Sequence, residues 1–163
     1  MSPAPLPLPE TPLPGRPCSV ASALSVVGEK WALLVIRELF LGNRRFDRIA
    51  ANTGAPRDIL TTRLRSLERA GIVTRTPYQE KPQRFEYRLT QAGRELSPVL
   101  HALRAWGDRW AVDESPMVVR HHDHRLDPAT WCRTCGEPVD DRDLSVESRA
   151  PGWAPEGRVA AAG

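Results

Sequence analysis

The chain has 163 residues and a net charge of +3, with 40% hydrophobic and 26% charged residues. That supports one domain of ordinary size with tails. The longest apolar run, Trp31 to Ile36, is far too short to span a bilayer. The amino-terminal stretch lacks the basic-then-apolar layout of a secretory signal, so no membrane partner and a cytoplasmic location are expected. Charge is uneven: residues 18–111 hold sixteen Lys and Arg against nine Asp and Glu, and residues 112–163 hold six against ten. The basic part suits attraction to nucleic-acid phosphate, which the acidic remainder does not help.

Residues 1–17 contain seven prolines and no apolar periodicity, the composition of a disordered leader. A short helix is expected over Val20 to Val27, with Leu24 and Val27 apolar. Lys30 to Leu41 is a second helix, bounded by Gly28 and Gly42, with Trp31, Leu34, Val35 and Leu39 at helical spacing. Trp31 reads as packed core. Phe46, Ile49 and Ala50 mark a compact third helix that ends in the turn Asn52-Thr53-Gly54-Ala55.

Pro56 then falls in the first turn of a longer helix, Arg57 to Ala70, where its missing N–H costs nothing. Ala55 offers no side-chain oxygen as an N-cap. With Leu60 as origin, Leu64 and Leu67 lie within about 40° of it. Asp58, Thr62, Arg65 and Arg69 lie opposite, flanked by Thr61 and Ser66. A helix buried on one side and carrying Arg, Thr and Asp on the other suits contacts to base edges and phosphates. Taken alone it equally describes an ordinary solvated face. Arg63, about 60° from the buried stripe, reads as an intramolecular partner of Glu38 or Glu68.

Gly71 followed by Ile72 is a left-handed C-cap with its hydrophobic contact. Ile72 to Thr76 and Arg84 to Leu89 are strand candidates. Between them, Pro77 to Gln83 reads as a polar loop from which Lys81 and Arg84 reach phosphates or a minor groove, or are simply solvated. Thr90 caps a long amphipathic helix whose apolar residues are Leu96, Val99, Leu100, Leu103, Trp106 and Trp110. That stripe is wider than a domain of this size needs, and points to a second copy of the chain. Val20 and Leu24 are assigned to the same interface; the alternative is that the helix folds back on its own domain.

The order of short helix, turn, basic helix and two-stranded ribbon is the layout of a winged helix-turn-helix. The fold expected is mainly α with a small β-hairpin wing, an α+β architecture with dimerisation helices at both ends. The expected DNA-contacting residues are Arg44, Arg45, Arg57, Asp58, Thr61, Thr62, Arg65, Arg69, Lys81 and Arg84. Arg44 and Arg45 hold the phosphate backbone. Arg57, Thr61, Thr62 and Arg65 take base or nearby phosphate contacts.

The motifs also carry a family resemblance. Cys18-Ser-Val-Ala, Ala23-Leu24, Gly28-Glu-Lys-Trp31-Ala-Leu-Leu, Ile36-Arg-Glu-Leu and Gly42-Asn-Arg-Arg-Phe46 occur in order. Leu60-Thr-Thr-Arg63-Leu-Arg-Ser-Leu67-Glu-Arg-Ala-Gly71-Ile, Tyr87-Arg-Leu-Thr90 and Ala105-Trp106-Gly107 follow. Together they resemble the HxlR-type regulators, MarR-like winged helix-turn-helix proteins, over residues 18–112. The resemblance departs at Ala55, where members commonly place a Ser N-cap. It implies a homodimeric transcription regulator on an inverted-repeat double-stranded DNA operator; repression is the default for a small dimer with no separate activation domain, and a small-molecule or electrophile inducer stays unidentified. Residues 113–146 form an extension and 147–163 a flexible tail.

Three cysteines remain. Cys18 opens a helix two residues after Arg16, and both the helix terminus and the cation favour the thiolate. The resemblance makes it a sensor candidate; the alternative is an inert cysteine. Cys132 and Cys135 form a Cys-x-x-Cys-Gly turn like one knuckle of a zinc ribbon, with His121, His122 and His124 upstream. A His₂Cys₂ zinc site using His121, His124, Cys132 and Cys135, a redox dithiol and no special role all stay open; no cofactor is required for DNA binding. Asp140 to Asp143 reads as a solvated face. An enzyme is not expected: Asp127-Pro128 and Glu137-Pro138 deny the dithiol the helix an oxidoreductase needs, and no phosphate loop, Ser/His/Asp set or paired-carboxylate cleft is visible. A protein-interaction module built on Trp106 and Trp110 is the remaining alternative, and it leaves the basic domain unexplained.

Overall fold

The computed structural model describes residues 18–147 and 149. The expected disordered leader, residues 1–17, lies outside the described residues, as does nearly all of the expected tail. The chain divides into two compact units, one ending at Leu100 and one beginning at His101.

The first unit opens with helices α1 (Ser19–Val27), α2 (Lys30–Phe40), α3 (Phe46–Thr53) and α4 (Arg57–Arg69). Strands β1 (Val73–Glu80) and β2 (Gln83–Leu89) follow, then the one-turn α5 (Gln91–Arg94). The two strands pair antiparallel, Val73 opposite Leu89 and Glu80 opposite Gln83. Val35 and Ile36 of α2, Ile49 of α3, Leu60, Leu64 and Leu67 of α4 and Val73 of β1 are fully buried in one core. The stripe of leucines spaced three and four apart therefore fixes which face of α4 turns outward. Trp31 is half-buried against this core, with the Lys30 ammonium 4.1 Å from its ring centre.

Several local expectations are corrected. Pro56 is the N-cap of α4 rather than its first helical residue. Gly54 turns left-handed with φ 70°, Thr53 Oγ1 accepts the Ala55 N–H, and the Ala55 methyl enters the core. The segment Pro77–Gln83 is not a loop. Strand β1 runs to Glu80 with an irregularity between Pro77 and Gln79, and only Lys81 and Pro82 turn the chain. A ribbon solvated on both faces has no reason for apolar alternation, so its polar residues hid a strand. The helix capped by Thr90 ends after one turn, and α6 (Ser97–Trp110) begins anew. Pro98 explains the break: it has no N–H for the preceding turn and disfavours helical backbone just before it.

The α4 terminus follows expectation. Gly71 N–H bonds Glu68 O at 3.0 Å and Ile72 N–H bonds Leu67 O at 2.9 Å, with Gly71 at φ 71°. That is a Schellman cap, with Leu67 and Ile72 both buried beneath it.

In the second unit, a minimal hairpin pairs β3 (Arg120–His121) with β4 (His124–Arg125). The Asp108 carboxylate gathers Ser115 Oγ at 2.8 Å, Arg104 Nη1 at 2.6 Å and Arg125 Nη2 at 3.1 Å. The Ser115 hydrogen bond, then the two guanidinium groups, hold its pKa below the usual carboxylate range.

Candidate nucleic-acid interface

The outward face of α4 carries Arg57, Asp58, Ile59, Thr62, Arg65 and Arg69, all exposed, with Thr61 and Ser66 half-buried at its edges. Thr61 Oγ1 donates to Arg57 O at 2.7 Å and Thr62 Oγ1 to Asp58 O at 3.0 Å. These bonds to the preceding turn fix both hydroxyls while leaving lone pairs outward. Arg65 has no ion-pair partner among the described residues, and Arg69 reaches only Ser66 Oγ at 3.3 Å.

Arg57, the first residue of α4, reaches back to α3. Its Nη2 lies 2.9 Å from Asp47 Oδ1, and its guanidinium lies 4.8 Å from the Phe46 ring centre. Both charged groups are exposed, so the pair contributes at most about 1 kcal/mol and leaves Arg57 available to a phosphate.

Arg44 and Arg45 lie just before α3 and join the wing, which sequence reasoning missed. Tyr87 N–H donates to Arg44 O at 2.8 Å, and Arg45 pairs antiparallel with Glu86 in a single-residue bridge. The Arg45 guanidinium lies 3.5 Å from Glu86 Oε1 and 4.7 Å from the Tyr78 ring centre. Isolated single-residue pairing leaves no sequence period to detect.

Between α3, the start of α4 and the wing runs a groove of about 570 Å³, lined by Arg45, Phe46, Arg48, Arg57, Tyr78 and Arg84 among others. Four guanidinium groups face one carboxylate, Asp47, across it. Arg48 and Arg84 are exposed and have no ion-pair partner among the described residues. Arg48, Tyr78 and Ile59 are the functional candidates that the sequence did not single out. For Ile59 a signal existed: it is an apolar residue off the leucine stripe of a polar helix face. Lys81 sits exposed at the wing tip.

Arg63, in contrast, faces inward, and its partner is neither Glu38 nor Glu68. Its Nη2 pairs with Glu29 Oε1 at 2.8 Å, at the N-cap of α2. Glu68 pairs with Arg75 of β1 at 3.0 Å. Glu38, 2% exposed, is taken by Arg37, Asn43 and Asn52.

This geometry, a helix-turn-helix with its reading helix exposed and a basic wing beside it, is matched by the HxlR-like helix-turn-helix family model over residues 26–115. The chain belongs to that family. It is 43% identical over 139 residues to the HTH-type transcriptional regulator Rv3095 of Mycobacterium tuberculosis, covering 83% of this chain and 87% of that protein. The HTH-type regulator sll1512 of Synechocystis is 43% identical over 102 residues, covering 62% and 76%. Among solved structures, PA1607 superposes with a TM-score of 0.70 at 35% identity, covering 82% of this chain and 95% of that one. The oxidised redox regulator HypR gives 0.52 at 34% identity, covering 56% and 96%. As an HxlR-like protein, the chain is a DNA-binding transcription regulator of winged helix-turn-helix fold and not an enzyme.

Of the residues expected at a dimer interface, Val20 and Leu24 on α1 and Val99, Leu103, Trp106 and Trp110 on α6 are exposed, Trp106 at 60% and Trp110 at 69%. Leu96 and Leu100 instead pack against the core, so the stripe is split between the chain's own core and the surface. No single described helix is long and apolar enough to cross a membrane.

Cys18 is exposed, in extended backbone at the N-cap of α1. The four residues expected to hold zinc are not brought together. His121 and His124 belong to the β3–β4 hairpin, their rings 5.5 Å apart. Cys132 and Cys135 lie in a separate turn, and no group of three or more His, Cys, Asp or Glu among the described residues is placed to hold a metal ion. The Cys132 thiol pKa is lowered to about 7, chiefly by the backbone N–H of Cys135 and then that of Thr134.

Proposed function

We propose that two copies of this chain bind an inverted-repeat operator and repress transcription by occupying it in the cytoplasm. Each copy inserts α4 into one major-groove half-site, with half-site centres about 34 Å apart or a multiple of that. The observation that carries this reading is the outward face of α4, where Arg65, Arg69, Asp58 and Thr62 stand exposed beside the arginine groove. Arg44, Arg45, Arg48, Arg57 and Arg84 supply phosphate contacts, and Lys81 extends the reach of the wing.

The exposed Val99, Leu103, Trp106 and Trp110 of α6 support the homodimer, because an aromatic surface of that kind costs solvation unless a partner covers it. Cys18 is the proposed response site for thiol-reactive signals. Its exposed position supports this, together with the likeness to HypR and to the reduced form of YodB from Bacillus subtilis (TM-score 0.50, 33% identity, covering 59% and 96%).

Fluorescence anisotropy of a duplex from the gene's own upstream region, with reduced and thiol-oxidised protein, tests the reading. Specific binding of two chains per duplex, weakened steeply by salt, is expected. A monomer in solution together with salt-insensitive association overturns it. An oxidant response that persists in Cys18→Ser removes Cys18 as the sensor.

A further inference from the structure

The turn holding Cys132 and Cys135 is built like a ligand-holding knuckle, and it lies beyond residues 26–115, the part of the chain that the family model covers. Trp131 bridges to Pro138, and Val139 N–H closes the base on Thr130 O at 2.9 Å. Cys132 N–H donates to Glu137 O at 2.9 Å and Gly136 N–H to Cys132 O at 2.8 Å, with Gly136 left-handed at φ 75°. The backbone N–H groups of Thr134 and Cys135 point at the Cys132 sulfur, and the Cys135 side chain hydrogen-bonds it. Both cysteines thus sit on one closed surface turn, Cys132 half-buried and Cys135 exposed.

Donor number and softness then decide the ligand. Structural zinc takes four donors in almost every case, and here no third or fourth His, Cys, Asp or Glu among the described residues is placed with the sulfurs. Thiolates are soft donors that select soft cations, and a monovalent d¹⁰ ion is satisfied by two of them. We propose that Cys132 and Cys135 form a two-sulfur site for a thiophilic monovalent cation of the Cu(I) class. Binding forms two S–Cu bonds, and the thiol protons pass to water. No electron is transferred, because the ion arrives and stays as Cu(I). The N–H groups aimed at Cys132 offset the net negative charge of a dithiolate holding one positive ion.

The test is an anaerobic titration of the reduced full-length chain with Cu(I) held by bicinchoninate as a coloured competitor. One equivalent taken per chain is expected, with affinity lowered by roughly 100-fold or more in Cys132→Ser and in Cys135→Ser, since each removes one arm of the chelate. Cys18→Ser and the double change His121→Ala, His124→Ala are expected to leave uptake unchanged. X-ray absorption of the loaded wild-type chain is expected to show two sulfur neighbours, independently of whether the serine variants fold. Failure to take up Cu(I), loss of uptake in Cys18→Ser, or a four-donor site that needs the histidines and holds stoichiometric zinc each overturn the proposal.

Discussion

Asn52 Nδ2 donates to Glu38 Oε2 across 2.7 Å, and the same oxygen accepts Asn43 Nδ2 at 2.8 Å while Arg37 Nη2 takes the other oxygen at 2.8 Å. One buried carboxylate therefore ties α2 to the end of α3 and to the loop between them. Asn52 lies two residues before Gly54, where the turn into α4 begins, on the α3 side.

Replacing Glu38 by Ala removes the buried carboxylate and its hydrogen bonds to Arg37, Asn43 and Asn52, side chains that themselves reach solvent or lie half-buried. A loss of about 1–2 kcal/mol is expected from the lost charge-assisted hydrogen bonds, since the freed partners can turn to water. Urea denaturation followed by circular dichroism reads it as a lower midpoint. A change near zero would mean that water replaces the carboxylate freely.

Gly93 packs against the wing. A Cβ there would sit 2.4 Å from Ile72 O and 3.0 Å from a Leu89 methyl. Ile72 O also accepts from Thr90 N–H and Oγ1, so that backbone cannot retreat cheaply. Gly93→Ala is expected to cost about 1–3 kcal/mol, seen as a lower thermal midpoint, and to weaken DNA binding by displacing β2.

On DNA, Arg65→Ala and Lys81→Ala are expected to differ in kind. On the proposed mode of binding the first removes a base contact from α4: a cost of about 1–3 kcal/mol and relaxed preference at one operator position. The second removes a wing cation, so affinity falls alike on all sequences and the salt slope drops by about 1 per site. Titrations of operator and scrambled duplexes at several salt concentrations separate the two.

Ile59 on the exposed face of α4 suits apolar contact with a thymine methyl. Ile59→Ala is expected to lessen discrimination between thymine and the other bases at one position in each half-site, with the salt slope unchanged. Binding measured on duplexes carrying single base-pair changes checks this.

The Cys132 thiol pKa of about 7 sets the pH course of its reaction. Below that value the thiol is protonated and slow; above it the thiolate dominates and alkylation is fast. Iodoacetamide labelling of the wild-type chain, read by mass spectrometry on the tryptic peptide that ends at Arg133 and holds Cys132 alone, is expected to reach its half-maximal rate near pH 7. In Cys135→Ser, which removes one hydrogen bond to the sulfur, the midpoint is expected to move upward.

Much of this protein was legible in the chain itself. The leucines at positions 60, 64 and 67 fix a helix and its buried side, Gly71-Ile72 fixes its end, and the charge surplus of the first 111 residues points that helix at nucleic acid. These are local properties, carried by periodicity and by the backbone freedom of one glycine. Tertiary structure decided what depends on residues distant in sequence. It paired Arg63 with Glu29, sent Glu38 to Asn52, and joined Arg45 to the wing through Glu86. It also placed His121 and His124 apart from Cys132 and Cys135. Charges and metal ligands act through space at a few ångströms, so the sequence named the groups, while only the folded chain chose their partners.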